Sequence, residues 1–344
     1  MIVDDSGVFR GFWTRILSQF DDIEVATTAI HGKAAVEALS RIRVDLVLLD
    51  VEMPEMGGLE AIPHLFASQP DLKIMMVSSH TIEASRITVE ALTRGAHDFI
   101  EKPKSLTQKH EMEKFQHELI AKIRCIVQSV RGDQKPEVFS HKSKEILSPQ
   151  IALAKPKVIL VGSSTGGPNA LGVFVSGLSQ TISLPILIVQ HMPPKFTAML
   201  AECLQRESGR ICKEATHGEF IQPGSIYIAP GDYHMTVTQK SDQMILELNQ
   251  EDPENFCRPS VDVLFRSGAK VYGSSIFAIV LTGMGEDGKL GCEAIRKVGG
   301  TILIQDEASS VVWGMPGAVS RAGLAHYTLP LKRIADKTLE ICYE

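Results

Sequence analysis

The stretch KVILVGSSTGGPNAL, residues 157–171, joins an apolar run to a glycine- and hydroxyl-rich turn. The run 158–161 has the length and β-branched content of a strand in a parallel sheet. A helix-like segment follows, so the turn lies between a strand and a helix. Such a turn either cradles a phosphate group or exposes a nucleophilic hydroxyl, and the surrounding sequence has to distinguish the two.

The phosphate-binding alternatives fit this turn poorly. A dinucleotide-binding turn reads Gly-x-Gly-x-x-Gly, but Ser164 stands at its middle glycine, and the next strand ends at His191 instead of at an acidic residue. A P-loop needs Gly-Lys-Ser/Thr, which is missing here. Residues 162–166 match Gly-x-Ser-x-Gly, the turn that exposes a serine above a sheet. A helix cap also fits this short pattern. The residues at the other strand ends are therefore needed to decide whether the turn exposes a nucleophile.

Two more strand-like runs of the second half end near residues that can assist a serine. His191 follows ILIVQ, and Asp287 follows the run that ends near Leu281. The carboxyl ends of neighbouring parallel strands meet in one crevice, so we expect Ser164, His191 and Asp287 to lie together.

Acyl transfer needs these residue types. An imidazole takes the serine proton, a carboxylate orients the imidazole, and glycines beside Ser164 and around Met284 let backbone N–H groups approach an oxyanion. The chain order Ser, His, Asp differs from the Ser, Asp, His order of α/β-hydrolases and excludes that family. Spacing leaves Ser163 open as an alternative to Ser164 and Glu286 as an alternative to Asp287. A purely structural histidine also stays open.

The same alternation of strands and helices organises the whole chain. Residues 1–130 predict a doubly wound α/β domain with a parallel sheet, and residues 131–155, polar and with two prolines, predict a linker. Residues 156–344 predict a second doubly wound, mainly parallel α/β domain with a β-hairpin near 234–248. Its other strand-like runs are 184–190, 225–230, 275–282, 301–305 and 325–329.

Acidic residues follow two strand-like runs of the first domain. Asp4 and Asp5 follow one run and Asp50 another, while Ser78 and Lys102 lie at two further strand ends. Three carboxylates in one crevice repel one another unless a cation lies among them, and oxygen ligands without His or Cys suit Mg²⁺. Taken singly, each acid is better explained as a solvated loop residue, whereas the combination favours a cation site.

This ordered set of motifs over residues 1–130 resembles the receiver domain of two-component response regulators, a flavodoxin-like doubly wound fold. The resemblance implies phosphoryl transfer from a histidine kinase in the presence of Mg²⁺. The residues it implies are Asp50 as the phosphoryl acceptor, Asp4, Asp5 and Asp50 as the Mg²⁺ ligands, Lys102 as a contact of the phosphoryl group, and Ser78 and Phe99 as the residues that move.

Two features depart from the receiver pattern. Only Met1 to Val3 precede Asp4, which predicts a short first strand in an internal position of the sheet. Either the chain start is misassigned or this receiver is weakened. Pro63 lies within a helical pattern, which predicts a kink or a position in the first turn of a helix.

Six motifs of the second half together resemble the catalytic domain of the chemotaxis protein-glutamate methylesterase family, CheB: VGSSTGGP, QHMPPKF, IYIAPGDYHM, CRPSVDVLF, LTGMGEDG and VWGMPGAV. The resemblance implies hydrolysis of glutamate γ-methyl esters on chemoreceptor cytoplasmic helices with release of methanol, and deamidation of receptor glutamines. The residues it implies are Ser164 as nucleophile, His191 as base, Asp287 as orienting acid, and Thr165, Met284 and Gly285 as support for the oxyanion. No cofactor is implied there, and Arg258 is a candidate for steering acidic receptor helices.

Composition agrees with a two-domain cytoplasmic protein. The chain has 344 residues, 44% of them hydrophobic, and a net charge of −6, which disfavours nucleic acid as a partner. It lacks the apolar run of ~18 residues that membrane insertion needs, and its six cysteines show no metal-binding spacing.

In the CheB family the unphosphorylated receiver covers the esterase crevice, which implies activation by phosphorylation. The alternative is a receiver-controlled binding module with a catalytically silent second domain.

Overall fold

The computed structural model describes residues 1–103, 105, 108–131, 154–178 and 182–343. It divides into two compact units, Met1–Gln134 and Lys135–Glu344. Most of the predicted linker, residues 132–153, lies outside the described residues, so the linker stays a prediction. Both units have the predicted α/β architecture of parallel strands and helices.

The first unit is a five-stranded parallel sheet with helices. Its elements are β1 Ile2–Val3, α1 Gly7–Leu17, β2 Thr28–Ala29, α2 Gly32–Leu39, β3 Leu46–Asp50, α3 Gly58–Ser68, β4 Lys73–Ser78, α4 Ile82–Thr93, β5 Asp98–Glu101 and α5 Lys109–Arg131. The strand order is β2-β1-β3-β4-β5. The order reverses between β1 and β3, and at such a switch point the carboxyl ends of the strands open a crevice.

The short first strand is internal, as predicted. It has two residues, yet Ile2 is in register with Thr28 of β2 and with Leu48 of β3. The Met1 nitrogen donates a hydrogen bond to the Leu46 carbonyl at 2.8 Å. Two apolar residues in the middle of the sheet therefore suffice to place the acidic pair that follows them.

Pro63 does not lie in the first turn of its helix, so that part of the prediction is wrong. It is the sixth residue of α3, which continues to Ser68. Proline has no N–H to donate to the residue four positions earlier, and this removes one bond of the helix. The residues around it that face the core, Ala61, Ile62 and Leu65, are fully buried, and their packing holds the helix together.

The second unit contains a seven-stranded parallel sheet and a separate hairpin. Its elements are β6 Val158–Ser163, α6 Gly167–Gly177, β7 Ile186–Gln190, α7 Phe196–Ser208, β8 Cys212–Glu214, β9 Ile226–Ile228, β10 His234–Lys240, β11 Gln243–Asn249, α8 Val261–Tyr272, β12 Ile276–Val280, α9 Lys289–Lys297, β13 Thr301–Gln305, α10 Met315–Arg321, β14 Tyr327–Leu329 and α11 Leu331–Tyr343. The sheet order is β14-β13-β12-β6-β7-β9-β8.

This sheet also has a switch point, between β6 and β12. The chain proceeds from β6 to β7 on one side, whereas β12, β13 and β14 extend the sheet on the other. Strands β6, β7 and β12 are buried along their whole length, which explains their continuous apolar sequences. The antiparallel hairpin β10–β11 confirms the predicted one. Strand β8 was not predicted, because it has three residues, two of them charged, at the edge of the sheet.

None of the helices in the described parts of the chain is long and apolar enough to cross a membrane.

Gly58 provides a test of the packing in the first unit. A Cβ atom there would lie 2.3 Å from the Asp50 carbonyl oxygen, which belongs to the backbone and cannot yield. We expect Gly58→Ala to lower the free energy of unfolding of this unit by about 1–3 kcal/mol. The measurement is urea unfolding in a Trp313→Phe background, where buried Trp13 remains as the sole tryptophan.

The matched control is Gly11→Ala in α1. A Cβ atom at Gly11 meets nothing within 4 Å. Alanine is the better helix former, so this variant should gain about 0.5–1 kcal/mol. Equal effects of the two substitutions would contradict the packing argument.

Candidate active site

Three loops at the carboxyl edge of the seven-stranded sheet carry the predicted triad. Ser164 directly follows β6, His191 directly follows β7, and Asp287 lies in the loop between β12 and α9. Since β6 lies between β12 and β7, the serine belongs to the middle strand and the other two residues to its neighbours. The switch point therefore collects the three residues at one edge.

His191 and Asp287 form a buried pair. The Nε2 atom of His191 lies 2.8 Å from Oδ2 of Asp287. Their side chains are 12% and 2% exposed, so little water competes for this hydrogen bond. The neighbouring acid Glu286, which spacing left open, is exposed and pairs with Lys289 at 3.1 Å.

The Asp287 carboxylate lies at the N-terminus of helix α8. Burial raises its pKa, but the bond to His191 and the backbone N–H donors outweigh that effect and hold the pKa well below its usual range. A helix N-terminus favours an anion, because its first N–H groups have no partner within the helix. Besides His191, the donors are Asn255 Nδ2 at 3.0 Å, Ser260 Oγ at 2.9 Å, Val261 N at 2.7 Å, Asp262 N at 3.0 Å and Gly288 N at 2.9 Å.

The second nitrogen of His191 contacts a thiol. Its Nδ1 lies 3.4 Å from Sγ of Cys257. Because Asp287 accepts from Nε2, the lone pair of the neutral ring is on Nδ1, which is the nitrogen available as a base. Burial lowers the pKa of His191, whereas the bonds to Asp287 and Cys257 raise it, and the net shift is upward. Sequence reasoning missed Cys257, and no spacing signal marks it.

Ser164 is held by its backbone. Its N–H donates to the Thr282 carbonyl at 3.0 Å, and its carbonyl accepts from Gly167 N at 2.7 Å and from Gln190 Nε2 at 2.9 Å. The side chain is partly exposed. Among the described residues no hydrogen bond joins the Ser164 hydroxyl to His191. The catalytic hydrogen bonds of unliganded enzymes are often long and shorten in the substrate complex.

The alternative nucleophile, Ser163, is placed differently. It is the last residue of β6 and fully buried, and its hydroxyl donates to Gln190 Oε1 at 2.7 Å. Gln190 thus fixes both serines, one through the side chain and the other through the carbonyl. The sequence did not indicate a role for Gln190, because a polar residue at the end of a buried apolar strand is common and carries no signal of function.

The predicted oxyanion residues line the same edge. Thr165 is 7% exposed, and its carbonyl accepts from Thr282 Oγ1 at 3.0 Å. Gly285 has a φ of 84°, which glycine adopts readily. Within the described parts of the chain, the N–H groups of Met284 and Gly285 have no hydrogen-bond acceptor. Gly283, in contrast, donates to the Val312 carbonyl at 3.0 Å.

A second polar cluster lies at the switch point of the first unit. Oxygen atoms of Asp4, Asp5 and Asp50 lie within 4.8 Å of one another. The Lys102 ammonium lies 2.8 Å from Asp50 Oδ2 and 3.0 Å from Asp4 Oδ2. The second approach lacks hydrogen-bond geometry, so this buried Asp4 oxygen has no hydrogen-bond partner among the described residues.

This cluster has the donor set of a hard cation. Burial raises the pKa of Asp50 to about 6, and the nearby Asp4 charge adds to the increase, while Lys102 opposes it. One ammonium shared by two buried carboxylates offsets only part of their charge, and a divalent cation would compensate for the rest. The three carboxylates repel one another without a cation, and their oxygen atoms are suitable ligands for Mg²⁺.

The two remaining receiver residues are buried. Ser78 is fully buried, and its hydroxyl accepts from Thr88 Oγ1 at 2.9 Å. Phe99 is 5% exposed, and the Lys122 ammonium lies 5.3 Å from the centre of its ring. The Ser78 hydroxyl itself donates to the Ser79 carbonyl at 3.2 Å, so it would have to give up that bond to donate to a phosphoryl group.

Comparisons with known proteins agree with both units. Residues 159–338 match the CheB methylesterase family, and residues 1–112 match the response regulator receiver domain. A protein-glutamate methylesterase/protein-glutamine glutaminase of Caulobacter vibrioides is 45% identical, with 97% of this chain and 96% of that one aligned. One of Azospirillum brasilense is 43% identical, with 97% and 90% aligned.

A solved structure supports the fold of the second unit. The CheB methylesterase catalytic domain of Thermotoga maritima is 40% identical, with a TM-score of 0.53, and the match covers 54% of this chain and 99% of that domain. The chain therefore belongs to the CheB methylesterase family and is a receiver-regulated hydrolase of protein glutamate methyl esters and glutamine amides.

Proposed function

We propose that Ser164, His191 and Asp287 perform the hydrolysis and that Asp50 is the phosphorylation site that controls it. The observation that carries the first part is the 2.8 Å bond between His191 and Asp287 at the edge where Ser164 follows the middle strand. An imidazole oriented by a buried carboxylate next to a hydroxyl is the arrangement that activates a serine.

The reaction proceeds in two displacements. The Ser164 oxygen attacks the ester carbonyl while Nδ1 of His191 takes its proton, so Ser164 replaces Cys257 as the partner of that nitrogen. The N–H groups of Met284 and Gly285 stabilise the oxyanion together with Thr165. His191 returns the proton to the leaving methanol. Water, deprotonated by the same nitrogen, then attacks the acyl carbon, and His191 passes that proton to the Ser164 oxygen as the glutamate carboxylate is released. For a glutamine side chain the leaving group is ammonia.

The substrate and the control of this site extend the proposal. Methylated cytoplasmic helices of chemoreceptors are the substrates that the family resemblance suggests, and the protein acts in the cytoplasm. A histidine kinase supplies the phosphoryl group to Asp50. Asp4, Asp5 and Asp50 would hold Mg²⁺, which supplies positive charge against the phosphoryl oxygens, and Lys102 contributes an ammonium to the same oxygens.

The first test concerns the nucleophile. We expect Ser164→Ala to reduce methanol release from methylated receptor membranes by about 10³-fold or more, since the other triad members cannot replace the hydroxyl. Methanol is measured as released radiolabelled methyl. Ser176→Ala, an exposed serine of α6, is the matched control. Full activity of Ser164→Ala with loss in Ser163→Ala would transfer the role to Ser163, and no release by the wild type would favour a silent binding module.

The second test uses the pH dependence. The Asp287 charge raises the pKa of His191, so the acidic limb of kcat/KM should lie above the ordinary histidine value, with activity increasing as pH rises through it. Asp287→Asn removes that charge and leaves burial, which lowers the pKa. The limb should then move to lower pH, while kcat falls about 10⁴-fold.

Glu286→Gln is the matched control for this shift. Its carboxylate is exposed and pairs with Lys289, so the limb should stay in place. An NMR titration of the His191 ring protons measures the pKa without relying on activity. An unmoved His191 titration in Asp287→Asn would reject the role of Asp287.

The third test concerns the control. Acetyl phosphate with Mg²⁺ should increase methanol release by the wild-type chain, and Asp50→Asn should abolish that increase, because an amide cannot accept the phosphoryl group. Asp21→Asn, an exposed residue of the same unit, should respond like the wild type. Stimulation that persists in Asp50→Asn, or that does not need Mg²⁺, would contradict the proposed acceptor site.

A further inference from the structure

Phe256 is a fully exposed aromatic residue beside the active site. Its relative exposure is 103%, the highest among the exposed large hydrophobic residues. A single exposed apolar side chain needs no explanation, but a phenylalanine held in this position by its backbone does.

The backbone around Phe256 adopts a conformation that phenylalanine disfavours. Asn255 and Phe256 have φ values of 53° and 62°. They are the central residues of a tight turn in which Cys257 N donates to the Glu254 carbonyl at 2.8 Å. Two consecutive positive φ values are typical of a type I′ turn, where glycine and asparagine dominate, and a bulky residue there is strained. Strain of this kind persists where it serves a function.

The turn is tied to the catalytic residues on both sides of Phe256. Asn255 Nδ2 donates to Asp287 Oδ1 at 3.0 Å and to Asp262 Oδ2 at 3.0 Å. Cys257 Sγ lies 3.4 Å from His191 Nδ1. The backbone of Phe256 is therefore held at a fixed place relative to the base and its carboxylate.

Arg258 completes this attachment. Its guanidinium donates to Asp232 Oδ1 at 3.0 and 2.6 Å, and to the carbonyls of Gln250 and Glu251 at 3.1 and 3.0 Å. Its donors are thus used to hold the loop, and these contacts do not support the suggestion that Arg258 steers acidic receptor helices. Phe256 is the exposed aromatic residue of this loop.

We propose that Phe256 is a substrate-docking residue whose ring packs against an apolar side chain of the polypeptide that carries the esterified glutamate. The partner of the ring is the substrate, because Asn255 contacts Asp287 and Cys257 contacts His191, which places the turn beside the active site. Partly exposed Met284, in the loop after β12, adds apolar surface at the same edge. This inference rests on the proposed triad, since it places the substrate beside His191.

The proposal explains how the enzyme selects a protein substrate. A methyl ester alone is too small to cover the ring, whereas a polypeptide segment can bury it. Burial of an aromatic side chain at an interface strengthens binding in the ground state and the transition state alike, so it lowers KM and leaves kcat unchanged.

The experiment compares two substrates with full-length variants. With a receptor cytoplasmic fragment that carries radiolabelled methyl esters, Phe256→Ala should raise KM about tenfold with unchanged kcat. With the γ-methyl ester of a blocked glutamate, Phe256→Ala should equal the wild type. Phe256→Tyr should restore the KM for the fragment, because tyrosine keeps the ring.

The matched control is Ile211→Ala. Ile211 is 65% exposed and directly precedes β8, so it lies at the amino edge of the sheet, away from the triad. This variant should behave like the wild type with both substrates.

Several outcomes would overturn the proposal. An unchanged KM for the fragment, or an equal loss with the small ester, would show that Phe256 does not dock the polypeptide. A higher basal rate with unchanged KM would place the ring against this chain itself, and loss of a dimer in sedimentation with unchanged KM would place it against a second copy. Failure of the triad is separate, because it would appear as activity in Ser164→Ala.

Discussion

The second unit depends on one buried anion, the Asp287 carboxylate at the N-terminus of α8. A charge this far from water is tolerated only where donors replace the lost hydration. Here those donors come from the helix terminus, from the loop before it, from Gly288 and from His191. One side chain thereby connects the β12 loop, α8, the turn around Asn255 and the proposed catalytic base, His191. The geometry of the site follows from satisfying this charge.

The acidic cluster of the first unit also contains buried carboxylates, but it has fewer hydrogen-bond donors than Asp287. The Asp287 carboxylate is fully satisfied by the protein, and its pKa lies below the usual range. Asp50 is also buried, but it has fewer donors, and its pKa rises to about 6. One oxygen of Asp4 has no hydrogen-bond partner in the described chain. In the proposed function, the carboxylate satisfied by the protein orients a neighbouring side chain, whereas the acidic cluster, with one ammonium among three carboxylates, would attract a cation.

The sequence predicted the strand ends well and the contacts between them less well. Long apolar runs such as 186–189 are visible because buried parallel strands contain few polar residues. The three-residue strand β8 has no such run, and the place of Pro63 in α3 depends on packing that no local pattern encodes. The sequence did not predict Cys257 and Asn255 as site residues, because they reach the site through a turn whose conformation depends on partners distant in the chain.

The strand order also explains why the histidine uses Nε2 for the carboxylate. Neighbouring strands are about 4.8 Å apart, so β7 and β12, which flank β6, are separated by about 10 Å. His191 directly follows β7 and Asp287 lies in the loop after β12, so for their 2.8 Å bond this loop returns towards β7, and the far nitrogen of the ring faces it. The near nitrogen, Nδ1, then remains for proton transfer. The thiol of Cys257 contacts it in this structure, and in the proposed mechanism Ser164, which follows the intervening strand, takes that position.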